Sequence, residues 1–436
     1  MFEKIIQKLL KSPQMKLEQQ HPSKPLSMIN NFSPIVLEEI AERAKTGQPL
    51  YEPKGTIRKN YMDFRDIVFI PAQLKNLPLD RETKVDTTVR IGRSIKKPLH
   101  IGIPLMISGM GYGVAVSMEI SKAMAKAATM AATAMSSGET GFLLEERKLA
   151  DKYIVQFNTA KWGNAPEQLK NADAIEVRVS QGASGCDGYT IKYADVGARL
   201  AKHLGMEPGQ NTHYPNRFPE VRTPKDWKKL VDAIREINAD VPVIVKMGAG
   251  DIEGDIDVAL DAGFDAIVID GAGSGAAHKL ELTINNFCLP LVYALPRANE
   301  YLLRKKVKDR ITLIASGGIF SPGDFLKVIA LGADAVYLGQ VCLAAMVHSQ
   351  LEKLPPGASS TQMYLYPGKY TDRLNSTEAA NNLANYLKAS VQEMEMAARL
   401  LGKSALRDIT TDNLVALKTD VAEATGLKLA YGSFRN

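Results

Sequence analysis

The sequence predicts an α/β protein built on a (β/α)8 TIM barrel, with an N-terminal extension and a C-terminal helical extension. Three observations predict it. From Lys97 onward, short apolar runs alternate with amphipathic helical stretches. The runs are rich in β-branched residues and show little polar alternation, as in parallel strands covered on both faces. The strand–helix unit occurs eight times in about 250 residues, the arithmetic of a closed eight-stranded barrel. An open doubly wound sheet, the competing fold, puts one glycine fingerprint after its first strand and does not repeat the unit eight times.

The elements follow in order. Residues 1–96 form the N-terminal extension. Its first thirty residues are polar and basic, with scattered Pro and Gln, and read as a loosely held arm. Ser33-Pro34 opens a helix that Gly47 closes. The stretch from Tyr51 to Pro98 is irregular apart from a strand-like Ile67-Val68-Phe69-Ile70. Residues 97–352 form the barrel, with strands expected over 104–110, 133–137, 153–157, 174–179, 242–248, 266–270, 312–318 and 335–339. The clearest helix opens at Thr223-Pro224 and runs to Asn238, with Trp227, Leu230, Val231, Ile234 and Ile237 on one face. Others are expected over Asp255 to Ala262 and Pro322 to Leu331. Two stretches exceed what a barrel helix needs: Gln181 to Arg222 after strand four, and Gly271 to Arg310 after strand six. Insertions at that end of a strand lie over the barrel mouth, so both are expected to cover a substrate. Residues 353–436 hold a Pro- and Gly-rich loop and a long helix from Ser376 to Leu401. That helix carries Leu383, Leu387, Val391, Met394, Ala398 and Leu401 as a stripe, expected to pack on the barrel or on a neighbouring subunit.

Composition excludes several classes of function. The 436 residues are 45% hydrophobic and 23% charged, enough to bury a large core without staples. Fifty-four basic against 48 acidic residues leave +6, spread along the chain, which does not point to nucleic acid as a partner. No apolar run approaches the 18 residues of a membrane span. The N-terminus MFEKIIQKLLKSPQ is charged throughout and has no signal-peptide core, so a cytoplasmic location is expected. Cys186, Cys288 and Cys342 share no metal-ligand spacing, so no metal site is expected. His203 and His213, ten apart in the first insertion, read as solvated or loop-packing residues ahead of metal ligands.

The strand ends carry the chemistry. Strand six runs into Asp270-Gly271-Ala272-Gly273-Ser274-Gly275, strand seven into Ser316-Gly317-Gly318, and strand eight into Gly339-Gln340. Glycines there let backbone N–H groups approach a phosphate, and many barrels bind phosphate after strands seven and eight. Strand five holds Lys246, strand four Arg178 and strand three Gln156. A cation on a barrel strand is costly unless it meets an anion, either a bound ligand or a structural carboxylate. Strand one ends in Ser108-Gly109-Met110-Gly111, a backbone that could lie flat beside a ring.

Together these residues resemble the FMN-binding synthase domain of the glutamate synthases, in its short stand-alone form, over about Lys97 to Ala345. Pro104 to Gly113 resembles the family's first strand, and Ser136-Ser137-Gly138-Glu139-Thr140-Gly141 its Asn-Thr-Gly-Glu-Gly-Gly turn. Gln156 with Lys161-Trp162-Gly163, Ile175 to Ala183, Val245-Lys246, Asp270 to Ala276 and Ser316-Gly317-Gly318 resemble further family segments. The resemblance implies FMN at the barrel mouth, with reduced flavin passing a hydride to the imine carbon of a 2-imino acid. It implies Glu139 as acid/base or amine-binding carboxylate. Arg178, Gln181 and Lys246 would hold the flavin edge and the substrate carboxylate, and Asp187 would be a second acid. Ser108, Gly109, Met110, Gly111, Ser136, Gln156, Asp270, Gly271, Gly273, Ser274, Gly317, Gly318, Gly339 and Gln340 would complete the cofactor site.

The chain also departs from the family. Three cysteines that hold an iron–sulfur cluster are expected after strand eight, where this chain has only Cys342, with His348 near another position. One thiol cannot hold a cluster, so FMN without an iron–sulfur cluster is expected. Ser184 replaces a basic residue that helps hold 2-oxoglutarate, and Cys186-Asp187 replaces Gly-Glu. The substrate expected is a 2-oxo acid or a related small molecule. No glutaminase half is expected, so ammonia or an amine would come from an amidotransferase subunit or from solution. An electron-donor subunit and a homo-oligomer are also expected. The rival readings are an FMN oxidoreductase acting on an unrelated small molecule and a non-catalytic flavin-binding paralogue.

Overall fold

The computed structural model describes residues 40, 43–47, 63–182, 188–272 and 280–431. Eight strands form the barrel: β1 Leu105–Ile107, β2 Met135–Ser136, β3 Tyr153–Phe157, β4 Ala174–Arg178, β5 Val243–Gly248, β6 Ala266–Asp270, β7 Thr312–Ser316 and β8 Ala335–Leu338. They pair in parallel in chain order, and β8 closes onto β1. The expected TIM barrel is therefore what the chain forms. Strands three and six match expectation residue for residue, while β1 is shorter, ending at Ile107 rather than at 110. There the backbone leaves the sheet because Gly109 and Gly111 press on the turn after β2. A Cβ on Gly109 would lie 2.8 Å from the Gly138 Cα.

Alternation along each strand decides which side chains enter the barrel. Met106, Ile154, Ala174, Ile244, Val268 and Ile314 point inward and fill its lower half, all fully buried. Their outward neighbours, such as Val155, Val177, Val245 and Ile267, pack under the helices. Each fully buried Val or Ile contributes about 1.5–3 kcal/mol. The bottom is plugged by an antiparallel hairpin, Val89–Ile91 with Leu99–Ile101, whose Ile91, Leu99 and Ile101 join the inner cluster. The sequence reading leaves this stretch irregular, because two three-residue strands are too short to register as a period.

Helices lie outside: α1 Met118–Met130, α2 Leu144–Arg147, α3 Pro166–Leu169, α4 Asp226–Ile237, α5 Ile252–Ala262, α6 Leu291–Arg304, α7 Pro322–Ala330 and α8 Gln340–Val347. Helix α4 starts three residues later than Thr223, because Asp226 accepts from the backbone N–H groups of Arg222 and Thr223 and from the Thr223 hydroxyl. Those bonds hold Thr223 in a turn ahead of the helix and satisfy N–H groups that have no partner within it. Helix α5 starts earlier than Asp255, since Asp251 caps it, and ends at Gly263 in the left-handed region. The long helix α9, Ser376–Leu400, packs on α1, α7 and α8. Its Leu383, Leu387, Val391, Met394 and Ala398 are buried, so the stripe faces the barrel. Strand Ile67–Phe69 pairs antiparallel with Leu414–Ala416, which ties the two extensions together. Of the helix expected from Ser33 to Gly47, residues 40 and 43–46 are described and helical, and Gly47 follows them at φ 62°; the rest lies outside the described residues. Among the described residues, no helix is long and apolar enough to cross a membrane.

Candidate active site

The upper inward positions are polar, in contrast to the lower half. On β5, Lys246 is 3% exposed. Its Nζ donates to the Ser108 hydroxyl at 3.0 Å and lies 3.5 Å from the Asp270 carboxylate at the end of β6, itself 1% exposed. Of the two partners expected for this cation, the structural carboxylate is present, and it is Asp270. The Lys246 ammonium also lies 5.6 Å from the centre of the Tyr337 ring on β8. On β3, Gln156 donates through Nε2 to Glu176 at 2.7 Å, and Ser136 on β2 donates to the same carboxylate oxygen at 3.1 Å. Burial first, then the charge of Glu176, pushes the Tyr337 hydroxyl well above the usual tyrosine range.

Arg178, the last residue of β4, is buried and ion-paired with Glu139 from the turn after β2. The same nitrogen, Nη1, donates to the Tyr214 hydroxyl at 3.0 Å. Burial alone would lower the Arg178 pKa; the Glu139 carboxylate and the neighbouring tyrosines outweigh it, and the guanidinium stays charged.

Glycines form the rim. Gly138 has φ 74°, and a Cβ there would sit 2.3 Å from the Gly111 nitrogen, so the turns after β1 and β2 touch backbone to backbone. On the opposite side, a Cβ on Gly182 would lie 1.8 Å from the Gly271 carbonyl oxygen, and one on Gly317 would lie 2.6 Å from the same atom. No side chain fits at these positions, so the turns after β4, β6 and β7 meet closely. Gly318 is exposed beside them, and Gly339 caps α8, whose first residue Gln340 is also exposed. In the first turn of α8 the Cys342 N–H donates to the Gly339 carbonyl at 2.9 Å, and the Gln340 and Val341 N–H groups, at the open end of the helix, suit an anion.

The structure thus brings Ser108, Ser136, Glu139, Gln156, Arg178, Lys246 and Asp270 together at the mouth, with Gly109, Met110, Gly111, Gly271, Gly317, Gly318, Gly339 and Gln340 around it. Gln181 is half-buried just beyond β4. Asp187, Gly273 and Ser274 lie outside the described residues, as does Cys186. Sequence reasoning missed Glu176, Tyr337, Tyr189 and Tyr214. A signal for Glu176 was present: in Ile175-Glu176-Val177-Arg178-Val179, polar and apolar residues alternate, so Glu176 shares the inward face of Arg178.

His203 packs within the insertion, while His213 is exposed beside the Thr190 hydroxyl. His203 Nε2 lies 2.9 Å from the Thr140 carbonyl oxygen, with its ring edge-on to Tyr112. Among the described residues, no group of three or more His, Cys, Asp or Glu side chains is arranged to hold a metal ion. Cys342 is fully buried on α8, donates to the Leu338 carbonyl at 3.4 Å, and has its thiol pKa pushed up by burial to about 12. Since the thiolate is the reacting form, iodoacetamide at pH 8 should label Cys342 at least about a hundredfold more slowly in native than in unfolded protein. Peptide mass mapping would check this; equal rates would contradict the burial.

The family profile described as "Conserved region in glutamate synthase" matches residues 38–404 of this chain. The chain belongs to that family. A glutamate synthase large subunit-like protein of Rhizobium meliloti (strain 1021) is 31% identical to it, over 95% of this chain and 98% of the relative. An archaeal-type glutamate synthase [NADPH] of Thermotoga sp. (strain RQ2) is 28% identical, over 87% of this chain and 79% of the relative. Among solved structures, a flavocytochrome b2 variant with sulfite bound superposes with a TM-score of 0.55 at 18% identity, over 89% of this chain and 84% of that one. At that identity the likeness concerns the fold, and it agrees with the closed barrel. The expected resemblance to the glutamate synthase family is thereby established.

Proposed function

We propose that this glutamate synthase family member is an FMN-dependent oxidoreductase that aminates a 2-oxo acid reductively. One observation carries the reading. Gln156 Oε1, Arg178 Nε and Asp270 Oδ1 are buried at the barrel mouth without a hydrogen-bond partner among the described residues. Unpaired buried polar atoms cost about 1–3 kcal/mol each, and a bound polar molecule offsets that cost. A flat ring with both donors and acceptors on its edge, carrying a phosphate, fits the mixed donor–acceptor set and the glycine rim. When bound, FMN supplies a hydride at the ring. Gly317, Gly318, Gly339 and the first turn of α8 would hold its phosphate, a role also assigned to Gly273 and Ser274. Ser108, Gly109, Met110, Gly111 and Ser136 would flank the ring, and Gln156 and Lys246 would hold its edge.

The chain's own residues then have distinct roles. Asp270 and Ser108 fix the Lys246 ammonium in place. Arg178 binds the substrate carboxylate together with Gln181, Glu139 binds the amine or moves a proton at the imine nitrogen, and Asp187 is assigned the role of a second acid. Ammonia or an amine arrives from solution or from an amidotransferase subunit. Electrons arrive from a donor subunit without an iron–sulfur cluster in this chain, which would act in the cytoplasm as a homo-oligomer. A second reading, an FMN oxidoreductase acting on a different small molecule, is favoured by Ser184 and Cys186 standing where the family binds 2-oxoglutarate.

The test is a yellow purified protein whose photoreduced flavin is reoxidised by a 2-oxo acid together with ammonia or methylamine. A colourless protein that cannot be reconstituted would overturn the oxidoreductase reading. Glu139→Gln is expected to keep bound flavin and to lose turnover by about a hundredfold or more, the scale of one acid–base group. Full turnover in that variant removes Glu139 from the chemistry.

A further inference from the structure

The function proposed above uses Gln181 and Asp187 of the insertion after β4 but gives no role to two tyrosines of the same insertion that reach the mouth. Its antiparallel hairpin, Tyr189–Ile191 with Thr212–Tyr214, stacks Tyr189 on Tyr214 with ring centres 5.0 Å apart and planes 6° off parallel. Trp162, from the turn after β3, lies against Tyr214 at 5.4 Å. Tyr214 and Trp162 are buried in a small cluster with Tyr112, Leu200 and Leu204, so the insertion has its own core and presents a rigid wall.

That wall touches Arg178 in two ways. The guanidinium carbon lies 5.3 Å from the Tyr214 ring centre, and Nη1 donates to the Tyr214 hydroxyl as well as to Glu139. A guanidinium is a planar fork of five N–H donors. Two acceptors on one corner fix the plane of the fork and therefore the direction of its opposite edge. That edge is made of Nε and Nη2. Nε is buried and has no partner among the described residues, and no hydrogen bond within them involves Nη2. Two parallel N–H groups on one edge match the two oxygens of a carboxylate.

We propose that Tyr214 is a positioning residue that clamps Arg178, together with Glu139, so that the Nε–Nη2 edge receives the carboxylate of the substrate side-on. This rests on the oxidoreductase reading above. It also gives the insertion a purpose, which is to set the orientation of the anion receptor before the substrate arrives. A preset orientation lowers the cost of ordering the site on binding.

The test uses the flavin-loaded full chain and Tyr214→Phe, which keeps the ring stack and removes only the hydroxyl. 2-Oxoglutarate and pyruvate are titrated in, and binding is read from the change in flavin absorbance. The expected result is a Kd raised about tenfold in Tyr214→Phe, with flavin stoichiometry unchanged and the melting temperature shifted by no more than about 2 °C. A neutral carboxamide analogue of pyruvate should bind both proteins equally. In the Arg178→Lys background, Tyr214→Phe should add nothing, because lysine has no fork to orient. With turnover available, KM should rise while kcat holds. An unchanged Kd in a yellow Tyr214→Phe protein overturns the clamp and leaves the oxidoreductase reading standing, as does a loss confined to flavin affinity. A yellow wild-type protein that binds neither acid also overturns the clamp. A wild-type chain that takes up no FMN overturns both.

Discussion

Replacing Lys246 with Met is expected to lower the unfolding free energy by about 3–5 kcal/mol and to empty the site of flavin. The stability loss follows from burial. Asp270 is 1% exposed and Lys246 3%, and they face each other at 3.5 Å across neighbouring strands. Removing the ammonium leaves a carboxylate in the barrel with one oxygen already unpartnered and the other stripped of its cation. A lone buried charge costs far more than the pair contributes. The double variant Lys246→Met with Asp270→Asn removes both charges and should regain most of the loss in urea unfolding. It should stay colourless, because the cation proposed for the flavin edge is still missing. A single variant as stable as the wild type would show that the pair is not buried as described. A yellow double variant would show that Lys246 does not hold the cofactor.

The second large effect concerns pH and lies away from the mouth. Glu146 on α2 is fully enclosed, and its carboxyl meets the hydroxyls of Ser121 on α1 and Tyr153 on β3. Burial, only partly offset by those two hydrogen bonds, raises its pKa from 4.5 to about 8. In the folded protein the group is protonated below that value, while in the unfolded chain it ionises near 4.5. Between those values the folded state holds one proton more, so stability falls as pH rises through the window. The slope is about 1.4 kcal/mol per pH unit, and it flattens above the folded pKa. Glu146→Gln is neutral throughout and fits the same two hydroxyls. Its unfolding free energy from urea titration should match the wild type near pH 4.5 and exceed it at pH 8.5 by a margin on the order of several kcal/mol. Parallel curves for the two proteins from pH 4.5 to 8.5 would show that Glu146 is ionised in the fold.

Parts of the site are legible in the chain alone. Gln156, Arg178, Lys246 and Asp270 stand at strand ends, where a polar residue in an apolar run is conspicuous. Gly138, Gly182 and Gly317 signal close approach by their type alone, though not what they approach. Tyr214 is not legible: it lies thirty-six residues beyond Arg178, in an insertion with no strong period, and nothing local ties the two together. The plug at the barrel bottom escapes for a related reason, since three-residue strands acquire meaning only from the cluster they complete.

The sequence by itself determined the number and order of the barrel units and, to within about three residues at each end, where each strand runs. Periodicity and β-branched composition are properties of the local chain, and burial on both faces leaves few alternatives. Tertiary structure alone decided which inward residues meet. Closure of β8 onto β1 sets the register of all eight strands at once. That register gives Lys246 its partners Asp270 and Ser108, sets Glu176 against Gln156 and Ser136, and brings the insertion's Tyr214 onto Arg178. Such contacts join residues tens to more than a hundred positions apart. Their geometry comes from the summed packing of the barrel, and no local stretch of the chain encodes it.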